Sequence, residues 1–207
     1  MAKPDTSIDP RILESAKVEF LANGYNGASL KTICANAAVT TGALYKRYSG
    51  KAELFEAVVA PMIYDLEEIV NRKRVLNIEE VSNEELIKAW DMDEEYMLWW
   101  FQFLYERYDG FILLLCRSEG SSYSNFSHEW VEKMTVYTYE YFLEAYKRGL
   151  TTVMIEKSEM HILLSAFWSI IYEPFILSYT WQEMVTHSNL VCKLFNWYKV
   201  LGFESDE

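Results

Sequence analysis

Between Arg11 and Glu207 the chain carries only two prolines, Pro61 and Pro174, and its apolar residues recur at steps of three and four. So few breakers combined with a 3.6-residue period point to helices. Strand-type alternation bounded by turn pairs is not evident, and the expected fold class is all-α. With 51% apolar residues over 207 positions the chain can bury a sizeable core, which excludes a disordered tail. Its three cysteines, Cys34, Cys116 and Cys192, form no Cys-x-x-Cys pair, so neither a zinc site nor a disulfide framework is indicated. Free thiols in a reducing compartment are expected. The opening MAKPDTSIDP has no apolar signal region, and the most apolar run, residues 162–172, is too short to span a bilayer. A cytoplasmic protein with no membrane partner is therefore expected.

The formal charge of −12 argues at first sight against a polyanionic partner. Its distribution says otherwise. Residues 1–60 hold seven basic and six acidic side chains, leaving 12 basic and 25 acidic for the rest. Residues 20–52 contain no carboxylate at all while holding Lys31, Lys46, Arg47 and Lys51. An acid-free basic window inside an acidic chain suggests a local anionic partner.

Local signals divide that window. A first helix is expected from about Pro10, with Asp9 as N-cap and Gly24 as its end, burying Ile12, Leu13, Ala16, Phe20 and Leu21. Ser29 caps a short second helix through Ile33 to about Ala35, and residues 36–39 are too few for anything but a turn. Thr40 caps a third helix over Thr41 to about Arg47 with Leu44 inward. A long fourth helix starts near Lys51 and presents Leu54, Phe55, Val58 and Met62 on one side. Pro61 should kink it or locally free a carbonyl. Charge balance changes there as well, which places the domain boundary at residue 60, giving domains 1–60 and 61–207.

Two short helices joined by a four-residue turn form a helix-turn-helix, whose second helix would enter a major groove. The segment SLKTICANAAVTTGALYKRYSGKAELF, residues 29–55, resembles the DNA-binding signature of the tetracycline-repressor (TetR/AcrR) family. The matching positions are Ser29, Ile33 with Cys34, Val39-Thr40, Gly42, Leu44, Tyr45, Tyr48, Lys51 and Leu54. On this pattern Thr41, Ala43 and Lys46 are candidates for base edges, with Arg47 able to reach guanine or phosphate. The resemblance implies phosphate contacts for Tyr45 and Lys51 and a core role for Tyr48. Lys51 also opens a helix whose free N–H groups attract anions. Ser29 can serve as cap and phosphate donor, Thr40 as cap, and Gly42 allows close backbone approach to DNA. The family usually has Gly or Asn where this chain has Ala38; a positive φ there would cost about 1–2 kcal/mol.

Beyond residue 60 lie all seven tryptophans, 12 of 15 tyrosines and 9 of 11 phenylalanines. Such a population suits an apolar cavity with a few polar handles. The resemblance implies an effector pocket in the helices of residues 85–178 and release of DNA on binding. Candidate lining residues are Trp99, Trp100, Phe103, Tyr137, Tyr141, Phe167 and Glu173, the last a carboxylate after an eleven-residue apolar run that must pair, bind a cation or sit at a rim. Ser158 opens a helix apolar nearly all round, and Thr180-Trp-Gln-Glu183 is a capping box for a last helix ending near Leu201. Such a helix must be covered on both sides. The resemblance implies that residues 158–202 pack against a twofold mate, so that a homodimer reads a palindromic operator on double-stranded DNA.

The composite expectation is an N-terminal three-helix helix-turn-helix domain followed by a C-terminal helical ligand-binding and dimerisation domain: a transcriptional regulator, commonly a repressor, released by a small molecule. Two other readings stay open, a helical enzyme and a ligand-binding protein with a vestigial helix-turn-helix. Against the enzyme, His128, His161 and His187 make no metal-ligand pair at helical spacing, and no phosphate loop, nucleophile elbow or paired-carboxylate motif is present. No catalytic residue, metal or cofactor is expected.

Overall fold

A computed structural model of the chain describes residues 8–74 and 77–203. Among the described residues there is no β-strand, only an isolated bridge between Thr151 and Phe203. The helices are α1 (Ile8–Gly27), α2 (Leu30–Asn36), α3 (Thr41–Tyr45), α4 (Lys51–Arg74), α5 (Asn83–Lys88), α6 (Glu94–Tyr105), α7 (Tyr108–Cys116), α8 (Phe126–Lys147), α9 (Lys157–Ile176), α10 (Trp181–Leu194) and α11 (Trp197–Leu201). A short 3-10 turn, Ile78–Glu80, precedes α5.

The chain divides into two compact units, residues 1–68 with 107–126, and residues 69–106 with 127–207. This division does not coincide with a cut at residue 60. Pro61 does not end α4, because it lies on an exposed face where water can take up the carbonyl its ring leaves unbonded. Residues 107–126 return to the first unit through contacts that local sequence does not announce. Arg107 pairs with Asp65 at 2.6 Å, a side chain at Gly110 would meet Met62 at 3.1 Å, and the Tyr25 N–H donates to the Arg117 carbonyl at 2.7 Å.

In the first unit Ile12, Ala16, Phe20, Ile33, Leu44, Leu54 and Phe55 are buried together, while Leu13, Leu21 and Val58 are only half-buried and Val59 takes the inward position on α4. Phe55 is the aromatic hub, with Phe20 edge-on at 4.9 Å and Tyr25 at 5.3 Å. Asp9 lies inside the first turn of α1, which already includes Ile8, and so is not its N-cap. Gly24, at φ +67°, breaks the helical geometry of α1, and one more turn follows to Gly27.

In the second unit α6 packs along α10, and the Thr180–Glu183 capping box is present. Two boundaries move. Glu156 rather than Ser158 is the N-cap of α9, and its N–H donates to the Glu159 carboxylate at 2.7 Å. The last helix stops at Leu194, and α11 follows after Phe195 and Asn196, closed by Gly202 at φ +72°.

Candidate nucleic-acid interface and ligand cavity

Each short helix of the first unit is fixed at its start by its own cap. Ser29 Oγ accepts from the Thr32 N–H at 3.3 Å, and Thr40 Oγ1 accepts from the Ala43 N–H at 3.1 Å. The Ser29 N–H is held in turn by Glu19, a buried carboxylate 3.0 Å away. Glu19 looks like an ordinary charged position on α1, and nothing in local spacing reveals its reach to α2. Between the helices Ala38 adopts φ +53°, and the Val39 N–H bonds the Cys34 carbonyl at 3.0 Å. The turn thus takes its left-handed residue on an alanine.

On α3, Leu44 is fully buried while Thr41, Gly42, Tyr45 and Lys46 are exposed, and Ala43 is half-buried. The helix is two residues shorter than the sequence suggests, because Lys46 is already its C-cap. Arg47 is drawn back toward α1: its Nε pairs with Asp9 and its Nη1 donates to the Ala43 carbonyl at 3.2 Å. The carboxylate comes from outside the acid-free window, which is why the window alone gave no sign of it. Lys51 is likewise engaged. Its Nζ donates to the carbonyls of Asn26 at 3.0 Å and Ala28 at 3.2 Å and lies 5.0 Å from the centre of the Tyr25 ring. It therefore ties the end of α1 to the start of α4. Burial pushes the Tyr48 hydroxyl above its usual range, with Asp9 adding to the effect.

The second unit encloses a cavity of about 480 Å³, lined mainly by apolar and aromatic side chains. Of the seven lining candidates, Trp100, Tyr137, Tyr141 and Phe167 reach it. Trp99, Phe103 and Glu173 do not line it. Trp99 and Phe103 stack on one another at 5.5 Å, with Tyr96 stacked on Trp99 at 6.0 Å, and Trp99 is exposed. Trp100, one residue on, turns 100° around α6 and is buried. Glu173 is exposed, the rim position that its carboxylate could satisfy without a partner. Lining residues that sequence reading missed include Ile78, Val81, Trp90, Trp168 and Trp197. They come from separate elements, and no periodicity within one helix could have joined them.

Residues 12–58 match the family model described as bacterial regulatory proteins, tetR family. That segment is a TetR-type helix-turn-helix. The chain is 39% identical over 49 residues to the HTH-type transcriptional regulator UidR of Escherichia coli K12, covering 24% of this chain and 25% of that one. It is 40% identical over 57 residues to SrpR of Pseudomonas putida, covering 28% and 27%. The matched part thus spans about a quarter of these curated relatives. Solved structures of low sequence identity extend the likeness of fold along the chain. NalD, the secondary repressor of the MexAB-OprM multidrug efflux pump in Pseudomonas aeruginosa, has a TM-score of 0.65 at 18% identity, covering 98% of this chain and 100% of that one. FadR of Bacillus subtilis, in complex with stearoyl-CoA, has a TM-score of 0.59 at 14% identity, covering 90% and 96%. No helix among the described residues is long and apolar enough to cross a membrane.

Proposed function

We propose that the chain is a cytoplasmic, ligand-responsive transcriptional repressor that binds a palindromic operator as a homodimer and is released by a small molecule. The observation that carries this reading is the exposed, carboxylate-free face of α3, Thr41, Gly42, Tyr45 and Lys46, standing on a helix-turn-helix that matches the TetR model. Lys46 and Thr41 would read base edges, Tyr45 and Ser29 would meet phosphate, and Thr40 and Ala43 would hold the helix start. Arg47 would reach DNA only by leaving Asp9. The cavity of the second unit would take the effector. Exposed apolar side chains on α9 and α10 support the homodimer through residues 158–202.

A footprint on the DNA flanking the gene tests the reading. Protection of two half-sites about one helical turn apart, lost on adding an effector, is the expected result. Absence of any protected sequence at low salt would overturn it.

A further inference from the structure

Four aromatic side chains set the chemistry of the cavity. Trp90, Trp168 and Trp197 all line it, each with at least nine-tenths of its surface buried, and none of their three indole N–H groups has a hydrogen-bond partner. Native proteins leave few buried donors unpaired, so three on side chains that line one cavity ask for an acceptor that the protein does not itself supply, each nitrogen being covered as the rings now pack. The ring faces supply the second constraint. Trp100 meets Trp168 at 5.2 Å and nearly a right angle, and Trp90 lies 6.2 Å from Trp197. Walls of flat aromatic rings suit a planar ring system better than a flexible chain.

Resting on the reading of this cavity as the effector site, we propose that it takes an uncharged, flat, ring-based ligand of two or three rings that carries an accepting oxygen, such as an aryl ketone or quinone. The indole N–H groups of Trp90, Trp168 and Trp197 are the donors that recognise it. Their nitrogens are sealed off as packed, so this recognition requires at least one indole to turn about its Cβ–Cγ torsion and carry its N–H edge to the ligand oxygen. A volume of about 480 Å³ admits a molecule of that size. Specificity then follows from polarity, because a ligand without the oxygen leaves the donors unpaired.

The test uses the full-length protein and calorimetric titration with three probes: 2-acetonaphthone, its oxygen-free counterpart 2-isopropylnaphthalene, and dodecanoate. The ketone is expected to bind at least tenfold more tightly than the hydrocarbon, and dodecanoate more weakly than the ketone. Trp90→Phe, Trp168→Phe and Trp197→Phe keep a ring and remove the N–H; at least one should bring the ketone preference below threefold. Equal affinity for ketone and hydrocarbon, binding of neither, tighter binding of dodecanoate, or a preference that survives all three substitutions would each overturn the proposal. The comparison of probes on the unaltered protein needs no variant to fold. Operator footprinting is run separately. Protection of DNA with no ketone preference removes this proposal alone, whereas a ketone preference without any DNA protection removes the regulator reading and leaves the ligand chemistry standing.

Discussion

Arg148 Nη1 donates to the carbonyl of Val81 at 2.6 Å. The same guanidinium reaches the carbonyls of Ile78 and Glu79, both at 3.1 Å, while its Nε bonds Glu144 at 2.7 Å. Ile78 and Val81 line the cavity, so one arginine on the turn after α8 pins a wall that has only a 3-10 turn for internal support. Arg148→Met should lower the unfolding free energy by about 2 kcal/mol, the scale of hydrogen bonds from a charged donor. Arg148→Lys should recover little of it, because an ammonium cannot reproduce the planar fork. Chemical denaturation of both variants checks this, and an unchanged midpoint for Arg148→Met would show that the wall holds without the clamp.

Three carboxylates make the acid side of stability readable. Hydrogen bonding to Arg148 holds Glu144 below the usual carboxylate range, and the N–H and hydroxyl of Ser82 and of Thr180 do the same for Glu85 and Glu183. A folded-state value below the unfolded one means that the unfolded chain takes up protons first. The stabilisation is complete above the ordinary glutamate value of about 4.3 and is lost as pH falls through the lower folded value. Urea midpoints should therefore be level from pH 7 to about 5 in respect of these groups and decline below about 4. Glu183→Gln should shallow that decline, and a slope identical to the parent would remove Glu183 from the account.

The left-handed alanine between α2 and α3 gives a prediction of opposite sign. At φ +53° the Cβ of Ala38 carries a penalty of about 1–2 kcal/mol, while glycine brings extra unfolded-state entropy worth about 0.4–1 kcal/mol. Ala38→Gly should stabilise the protein by the difference, about 0.5–1 kcal/mol. Thermal melting decides it. Destabilisation would mean that the turn draws its stability from the alanine methyl rather than paying for it.

The helix-turn-helix was legible in sequence because its determinants are local. Ser29, Thr40 and Leu44 each act on residues within four positions, and caps and inward apolar residues can be read at that range. What escaped were long-range partners. Asp9 reaches Arg47 across 38 positions, Lys51 reaches Asn26 across 25, and Arg148 reaches Val81 across 67. The cavity lay beyond reach for the same reason. Trp99 and Trp100 are equivalent as letters, and only the packing of α6 decides which of the two turns inward.

The structural role of Lys51 and the phosphate contact expected of it can be separated. Its ammonium bonds two carbonyls and lies against the Tyr25 ring, and its third N–H would be the one to meet a phosphate. Lys51→Met should lower the unfolding free energy by about 1–2 kcal/mol and weaken DNA equally on every sequence. It should also reduce the salt slope by about one. Loss of stability with an unchanged slope would leave Lys51 a strut between α1 and α4 and nothing more.

Ile162 on α9 and Leu194 on α10 are 66% and 67% exposed, and Leu190, one turn before Leu194, is 59% exposed. Trp197 and Leu201, the next apolar positions along the chain, are buried instead, because the chain breaks after Leu194 and α11 folds them into the core. Large aliphatic side chains left in water on adjacent helices are what an isologous interface would cover. Leu194→Asp and Ile162→Asp should each shift sedimentation from a dimer to the 24.4 kDa monomer at micromolar concentration, with operator protection lost in step. Cooperative unfolding should survive in both, since neither side chain contributes to the core of its own unit. A parent protein that already sediments at 24.4 kDa would exclude the homodimer, and a variant that stays dimeric would move the interface off these two helices.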